Sequence, residues 1–413
     1  MQQLLRLILV SFLLLLKACT MTPALPQDHR LPYPLPHELN AGDIFHLPTG
    51  YAVDHNTVLD HARRVQVIFV GETHDNLAVR HLQQSILKAL SAANPGAVTL
   101  AMEMFTPTQQ PLLDRWVAGE LTEEEFIKKT NWYSTWGFDF SLYRDLLLFA
   151  RDEKIGIMGL NAERPLREAV STTSIADLPA DIQQQLPDMD FDDPHYRNMV
   201  TAFQSAHPMG GRHSDGFLRV QTLWDESMAD AIATYLSARG KDHQVMVVAG
   251  NNHVQYGFGI PRRLFRRLPT SHLLIGTTET AASAQSHPHR LMAVEKLDNP
   301  LLPYHFLYVI DYQEPPQTGV RLGIIVTADS GPGVLIQKVL PESIAAQNAL
   351  QTDDRLLYLN QQPLEDTFDL IYALRQLQIG DTASLVVLRD DEEMIFDIQF
   401  GAENLHQERM PQP

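Results

Sequence analysis

Much of this chain consists of short apolar runs, rich in β-branched residues and separated by segments with helical periodicity. Such runs are buried on both faces, which is typical of parallel strands joined by crossover helices. The runs cover residues 65–70, 97–102, 155–158, 245–249 and 273–275, and helical periodicity covers 77–90, 142–150 and 217–235. The sequence therefore predicts an α/β domain with a mostly parallel sheet flanked by helices.

The pattern changes after Pro315 and Pro316, where shorter strands and a single helix predict a small, β-rich antiparallel domain. The strands are predicted over 321–326, 334–339, 355–359, 383–388 and 394–398, and the helix over 367–377. Residues 319–403 hold 14 acidic and 5 basic side chains, so they carry −9 of the net charge of −18. We therefore predict one domain over 44–312, a second over 317–403 and a flexible tail over 404–413.

The N-terminus has the three parts of a secretory signal: Arg6, an apolar run over 7–16, and Ala18 before Cys19. The run is about half the length that a membrane-spanning helix requires, so we expect it to be removed. Residues 16–19 resemble the lipobox of bacterial lipoproteins, with Lys17 as a departure, and an ordinary signal cut elsewhere is the alternative. We expect a signal peptide over 1–18, a lipid on Cys19, a Pro-rich tether over 19–43 and an outer-membrane location.

Cys19 is the only cysteine of the chain, which excludes intramolecular disulfides and thiolate metal clusters. A bound metal would therefore need histidine, tyrosine or carboxylate ligands. The net charge of −18 and the lack of a basic stripe argue against nucleic acid as a partner. We expect the membrane link to be the lipid and not electrostatic attraction.

Polar residues follow the predicted parallel strands where each strand ends, which is where open parallel sheets bind ligands. These residues are Gly71, Glu72 and His74 after the first strand, Glu103 after the second, Asn161 after the third, and Gly250 and His253 after the fourth. Gly-x-x-His thus occurs twice, and we expect each glycine to let the backbone turn sharply. Two histidines and two carboxylates should converge at one edge of the sheet, which we call the rim.

The residue types at the rim leave several interpretations open. His74, Glu103 and His253 are a usual ligand set for a divalent metal that keeps an open position for water. The same groups serve as general acid and base without a metal. In the structural alternative, Asp75 or Asn76 caps the next helix and the histidines are core residues. Two copies of the motif together with Glu103 favour a functional rim.

Six aromatic residues crowd into residues 131–143, ending with Tyr143. Clustered aromatic side chains are most often core residues, yet a flat apolar cofactor needs such a wall, and tyrosinate is an established haem ligand. Tyr256, three residues after His253, is a further candidate at the rim. On the helix over 217–235, Gln221 and Asp225 lie one turn apart beside the apolar face, so they point either into the site or to solvent at its edge.

Five motifs occur in order along the first domain: Val70-Gly-Glu-Thr-His-Asp75, Ala101-Met-Glu-Met-Phe105, residues 143–151, Ala249-Gly-Asn-Asn-His253 and residues 259–263. With them, residues 44–280 resemble the ChaN-like haem-binding uptake lipoproteins of the Tiki and TraB superfamily. The resemblance implies a homodimer that stacks haem at its interface, with a tyrosine as iron ligand. The implied haem-site residues are Glu72, His74, Glu103, Tyr143, His253 and Tyr256.

The wider superfamily includes metal-dependent hydrolases and peptidases that use Gly-x-x-His and a glutamate. For an enzyme of that kind, the implied catalytic and metal-binding residues are His74, Glu103 and His253. We expect a binding protein of haem uptake rather than an enzyme. A third interpretation is an envelope scaffold that binds only peptide.

The C-terminal domain resembles a PDZ domain of the bacterial, HtrA-associated kind. The loop that would hold a peptide's terminal carboxylate consists of Leu322, Gly323, Ile324 and Ile325. Residues 353–360 match a second PDZ motif, with Asp353 in place of its glycine. PDZ grooves add a peptide as a strand to a sheet edge, so the implied partner is the C-terminus of an envelope protein. The alternative is a module that only packs on its neighbour. No Gly-x-Ser-Gly-Gly nucleophile precedes it, which excludes an HtrA-like serine protease.

Overall fold

The structure is a computed structural model that describes residues 33–206, 214–286, 301–315, 319–327 and 331–401. The predicted signal peptide, Cys19 and residues 404–413 lie outside the described residues. Within these ranges, no helix is both long enough and apolar enough to cross a membrane.

The N-terminal domain is built on an eight-stranded sheet in the order β2-β1-β8-β7-β3-β6-β4-β5. The strands are β1 (Ile44–His46), β2 (Tyr51–Ala52), β3 (Val67–Glu72), β4 (Val98–Met102), β5 (Gly156–Gly159), β6 (Gln244–Gly250), β7 (His272–Glu279) and β8 (Phe306–Ile310). The six strands from β8 to β5 are parallel, whereas β1 and β2 are antiparallel. The predicted mostly parallel α/β fold is confirmed. The sequence analysis missed β1, β2 and β8. The strands β1 and β2 are only three and two residues long, which gives little periodicity, whereas β8 is a five-residue apolar strand inside the sheet that the analysis overlooked.

Helices cover both faces of this sheet. They are α1 (His55–Ala62), α2 (Leu77–Ala93), α3 (Gln110–Ala118), α4 (Glu123–Lys129), α5 (Trp132–Thr135), α6 (Ser141–Asp152), α7 (Arg164–Thr172), α8 (Ala180–Gln183), α9 (Pro194–Ala206), α10 (Ser214–Arg239), α11 (Asn251–Val254), α12 (Ile260–Arg267) and α13 (Ala281–Ser286). Strand β3 shows why its sequence run is continuous: Ile68 packs in the core on one face and Phe69 in the core on the other. Leu35 and Leu39 also pack against the second core, so this part of the predicted tether lies on the domain.

The C-terminal domain is an antiparallel sheet in the order β14-β13-β11-β10-β9, with β12 pairing with β11. Its elements are β9 (Ile324–Thr327), β10 (Val334–Val339), α14 (Ile344–Gln347), β11 (Arg355–Leu359), β12 (Gln362–Pro363), α15 (Thr367–Arg375), β13 (Thr382–Arg389) and β14 (Glu392–Gln399). Strand β9 begins later than predicted, because Leu322 is buried in the core and Gly323 has a left-handed φ of 74°. Asp353 takes a φ of 72°, a conformation that suits the glycine of related domains.

Four histidines cluster at the edge of the first sheet that is opposite the rim. The rings of His272 and His305 are 6.1 Å apart, and those of His46 and His61 are 5.9 Å apart. Burial, which is the largest cause, and the charges of the three neighbouring histidines together lower the pKa of His305 to about 4. The Leu274 N–H donates to His305 Nδ1 over 2.9 Å, which requires a neutral ring.

We expect His305 to make the folded state sensitive to acid. The pKa of His305 in the folded protein lies below the ordinary value of 6.5. The neutral ring therefore contributes its full stabilisation above pH 6.5, and this contribution is lost as the pH falls through about 4. The loss should be on the order of 3 kcal/mol in free energy of unfolding. Urea unfolding at about pH 7.5 and about pH 4.5 measures it, with His305→Gln as the comparison. An equal acid loss in the wild type and the variant would show that His305 is not responsible.

Candidate functional site

The two Gly-x-x-His motifs meet because β3 and β6 are adjacent parallel strands. Gly71 pairs with Ala249 and Glu72 pairs with Gly250 in the same register. Both strands therefore end at the same level, and His74 and His253 follow them onto the rim. Glu103, which follows the neighbouring strand β4, accepts a hydrogen bond from the Gly250 N–H over 2.7 Å. The predicted convergence of two histidines and two carboxylates is present in the structure.

The glycines of the two motifs allow close packing of one motif against the other. A Cβ on Gly250 would lie 3.2 Å from His74 Nε2, and a Cβ on Gly71 would lie 2.5 Å from Asn251 Oδ1. Gly250 has an ordinary φ of −55°. The passage from β6 to α11 at Gly250 therefore needs no left-handed backbone, and close approach is the reason for glycine here.

A network of buried polar side chains fixes the position of His74. Its Nδ1 lies 2.8 Å from Glu72 Oε1, and the Arg80 guanidinium contacts both oxygens of Glu72. Tyr143 donates to Glu72 Oε1 over 2.8 Å, and Gln83 donates to Oε2 over 2.7 Å. Arg80 also donates to the His74 carbonyl over 3.0 Å. Every group in this network is buried, so the orientation of His74 is fixed by charge-assisted hydrogen bonds.

A second network holds His253 on the other side of the rim. Its Nδ1 lies 2.7 Å from Asp225 Oδ1, and its Nε2 lies 3.5 Å from Glu103 Oε1. Tyr196 donates to Asp225 Oδ2 over 2.6 Å. Asp225 lies on α10, where helical periodicity had left its direction open. The structure places its carboxylate in the site, only 1% exposed.

The two histidines carry different charges at neutral pH. Burial lowers the pKa of His253, but Asp225 and Glu103 outweigh burial and raise it to about 10. Burial raises the pKa of Glu103, but His253 and His74, with the Gly250 amide, bring it down to about 2. Burial lowers the pKa of His74 more than the charge of Glu103 raises it. His253 is therefore cationic, Glu103 anionic and His74 neutral.

The structure does not form the metal site predicted from His74, Glu103 and His253. Among the described residues, no group of three or more His, Cys, Asp or Glu side chains is arranged to hold a metal ion. The reason is that both ring nitrogens of His253 face carboxylates, and a protonated imidazole has no lone pair for a metal. The same geometry leaves His74 as the one rim histidine with an unprotonated ring nitrogen.

Aromatic side chains stand beside both histidines. Trp136 and Phe138 pack on His74 with ring centroids at 4.7 and 5.1 Å, and Trp224 packs edge-on against His253 at 6.0 Å. The Arg167 guanidinium lies over the Trp224 ring at 5.9 Å. The aromatic residues within 131–143 thus serve two places. Trp132 and Phe140 belong to the core, whereas Trp136 and Phe138 flank the rim.

Buried polar atoms near the rim that have no hydrogen-bond partner in the described part of the chain include Trp136 Nε1, Trp224 Nε1, Asn161 Oδ1 and Arg167 Nε. Asn161 is tied to the rim by its amide, which donates to the Glu103 carbonyl over 2.9 Å. Leaving a buried polar group unpaired costs about 1–3 kcal/mol, so such groups are expected to find partners outside the chain. Bound water or the polar substituents of a ligand would satisfy them at this edge.

The two candidate tyrosines occupy very different places. Tyr143 is fully buried, and its hydroxyl donates to Glu72 and accepts from Arg80, so it is not placed to reach a ligand. Burial raises its pKa far above the usual range for tyrosine. Tyr256 is half-buried just after α11, stacks on Phe258 and has a left-handed φ of 58°. Such strained backbone is concentrated at functional sites.

The predicted carboxylate loop of the second domain has the arrangement of a peptide groove. The carbonyls of Leu322 and Gly323 accept from Ala345 and Leu340, while the amides of both residues donate to no carbonyl in the ranges that the structure describes. Ile324 and Ile325 lie on β9, the edge strand, and are half-buried. Helix α15 forms the other side, with Ile371 37% exposed.

Sequence analysis missed Arg80, Trp224 and Arg167 as site residues and left Asp225 undecided. Arg80 and Asp225 lie within helices, where periodicity gives a face but does not say which polar residue meets the sheet edge. Both are nevertheless charged residues on the buried faces of their helices. A charge among core positions is the signal that would have found them.

Fold and site together define a two-domain binding protein: an α/β domain with a histidine-containing rim, followed by a PDZ domain. The chain belongs to the family described as "Haem-binding uptake, Tiki superfamily, ChaN", whose model matches residues 58–264. A PDZ domain model matches residues 320–400.

Individual proteins resemble each domain separately. ChaN of Campylobacter jejuni, solved with cofacial haem binding, is 17% identical, covers 68% of this chain and 100% of its own, and has a TM-score of 0.51, which shows a shared fold. A probable periplasmic serine endoprotease DegP-like of Pseudomonas putida (strain W619) is 32% identical over 74 residues, 18% of this chain and 15% of its own length. The serine endoprotease of Yersinia pestis is 23% identical, covers 20% of this chain and 29% of its own, with a TM-score of 0.18.

Proposed function

We propose that this protein is a lipid-anchored haem-binding protein of bacterial haem uptake, whose PDZ domain binds the C-terminus of an envelope protein. Membership in the haem-binding uptake family supports the ligand, and the Campylobacter jejuni protein of the same fold is described as binding haem. The observation that carries the proposal for this chain is the rim itself. Aromatic walls and unpaired buried polar atoms lie together there, beside a neutral histidine.

The chemistry of these residues fits haem. Its porphyrin is a flat apolar surface, for which Trp136, Phe138 and Trp224 supply aromatic partners. Its propionates are anions, for which the half-buried Arg167 guanidinium supplies a cation. Haem iron is held in proteins by tyrosinate or neutral imidazole, among other ligands. Tyr256 and His74 are the residues of these types that suit the role, and we propose Tyr256 as the iron ligand.

We expect Tyr256→Phe to remove the tyrosinate charge-transfer band of hemin-loaded protein, since phenylalanine has no ligand oxygen. Tyr143→Phe is the matched control, because it removes a hydroxyl that serves only the buried network. It should keep the band and lower stability instead. Visible absorption spectra of the two hemin-loaded variants show which tyrosine holds the iron. A band that survives Tyr256→Phe would show that another residue holds the iron.

The homodimer with stacked haem that the family resemblance implies is part of the proposal. The description of haem binding in the Campylobacter jejuni protein as cofacial supports it. Sedimentation of the protein with and without hemin tests it. A monomer at saturating hemin would contradict the dimer while leaving haem binding intact.

The lipid anchor and the outer-membrane location are supported by the sequence alone, through the apolar run before Ala18 and Cys19. Intact mass of the protein from membranes tests the anchor, and separation of inner and outer membranes tests the location. A mature N-terminus other than Cys19 would overturn the anchor without affecting the rim.

Peptide binding is supported by the open edge of β9 and the free amides of the Leu322–Gly323 loop. The half-buried Ile324 and exposed Ile371 favour an apolar C-terminal side chain. Peptides selected from a C-terminal display library should bind as free acids and lose affinity when amidated. Equal binding of the amidated forms would show that the loop does not hold a carboxylate.

A further inference from the structure

Helix α15 contacts the N-terminal domain with the side that faces away from the PDZ core. Lys128 Nζ lies 2.7 Å from Asp369 Oδ1 and 3.4 Å from Asp366 Oδ2. Arg375 Nη1 lies 2.6 Å from Asp139 Oδ2, and its guanidinium covers the Tyr133 ring at 4.2 Å. Three ion pairs and the cation–π contact of Arg375 with Tyr133 thus join the domains within the described residues.

Apolar contacts continue the same interface. Phe368 lies 6.2 Å from the Tyr133 ring and stacks on Tyr372 at 5.6 Å. Phe368 and Tyr372 both pack against the core of the N-terminal domain. Their spacing of one helical turn places them on one face of α15. The PDZ helix is therefore docked, and not merely tethered, to the first domain.

The segment that receives α15 is also the segment that covers His74. We call residues 132–140 the aromatic segment. Tyr133 and Asp139 contact α15, while Trp136 and Phe138 pack on the His74 ring. Because these four residues belong to one short stretch of chain, a change in its order at one end reaches the other.

Helix α15 is at the same time a wall of the peptide groove. The chain leading into the carboxylate loop is tied to it, since the Val320 N–H donates to the Leu374 carbonyl over 3.0 Å. Ile371 is exposed on this helix, whereas Phe368 and Tyr372 turn to the other domain. One helix thus contacts the groove on one side and the aromatic segment on the other.

We propose that the docked PDZ helix holds the aromatic segment in place and thereby links peptide binding in the groove to haem binding at the rim. The inference rests on the proposed haem site. A peptide that fixes α15 also fixes the wall that haem uses, so the second ligand loses less conformational freedom on binding. The linkage is positive and reciprocal, and linkages of this kind change affinity by about 5- to 150-fold.

An undocked variant tests the proposal in the full chain. Lys128→Glu with Arg375→Glu reverses both cations of the interface and leaves the capping residues of α15 unchanged. The matched control is Lys129→Glu with Lys338→Glu, which makes the same change in net charge at two exposed positions. Tyr133→Ala is a second undocking variant that removes the ring under Arg375 from the other side.

Hydrogen exchange of residues 132–140 is measured first, without haem. We expect faster exchange in both undocked variants and no change in the control. Hemin titration is measured next, and the undocked variants should bind about fivefold more weakly or worse. Unchanged exchange, or faster exchange with unchanged hemin affinity, would overturn the linkage. A wild-type chain that binds no hemin would overturn the haem site instead, while the exchange result still tests the docking.

Discussion

Replacing Arg80 with alanine is expected to lower the free energy of unfolding by about 3–5 kcal/mol, the usual cost of removing one partner of a buried ion pair. Arg80 is 3% exposed and contacts both oxygens of Glu72, which is itself 1% exposed. The variant leaves the Glu72 carboxylate without its cation inside the protein. It also removes the bond that Arg80 donates to the His74 carbonyl.

The control for this experiment is Arg164→Ala. Arg164 pairs with Glu168 over 2.7 Å, but both side chains are largely exposed. Exposed pairs of this kind contribute about 0.3–0.5 kcal/mol. Urea unfolding of both variants measures the difference. If Arg80→Ala were no more destabilising than Arg164→Ala, the network under His74 would not have the energetic role that its burial indicates.

Asp225→Asn is expected to have the second largest effect, because it removes the counter-ion of a buried imidazolium. The His253 pKa should fall from about 10 towards the neutral range, since burial already lowers it and Asp225 is the largest opposing charge. The stability loss should be about 3–5 kcal/mol, as for a buried ion pair. Tyr196 also loses its charged acceptor.

The stability difference between the wild type and Asp225→Asn should depend on pH in a definite direction. The wild-type pKa of His253 is raised, so its contribution to stability is complete below about pH 6.5 and is lost as the pH rises through about 10. The stability gap between wild type and Asp225→Asn should therefore be widest near pH 6 and narrow towards pH 10. Titration of the His253 ring by NMR provides the direct check. A ring that titrates at the same pH in both proteins would refute the proposed charge of His253.

The rim was predictable from sequence because the relevant information is local. Each Gly-x-x-His motif follows an apolar strand, and parallel strands bring their carboxyl ends to one edge. No structure was needed to place His74, Glu103 and His253 together. The carboxylate loop of the PDZ domain was found in the same way, from a short motif before a strand.

The remaining features of the site depend on how helices lie on the sheet, which periodicity does not specify. Tyr143 looked like a ligand for a flat cofactor, but its place on the inner face of α6 buries it beneath the rim. Asp225 was left undecided on α10, and the structure makes it the partner of His253. The metal hypothesis has a similar gap, since the protonation of His253 depends on Asp225, a carboxylate that is distant in sequence.

The contact between α15 and the aromatic segment could not be predicted from the sequence. Tyr133 and Phe368 are in different domains, and no motif connects them. Their contact changes the expected role of the PDZ domain from a separate peptide-binding module to a neighbour of the proposed haem site. It also accounts for the aromatic crowding at residues 131–143, which serves the core, the rim and the domain interface at once.

Titration of hemin into the purified full chain, followed by absorption in the Soret region, measures haem binding at the rim. The rim residues predict a saturable shift at one haem per chain. They further predict that Trp136→Ala, together with Trp224→Ala, weakens binding, while replacement of the exposed Tyr51 does not. A spectrum that remains that of free hemin at equimolar protein, or a shift that the rim variants leave unchanged, would contradict haem binding at this site.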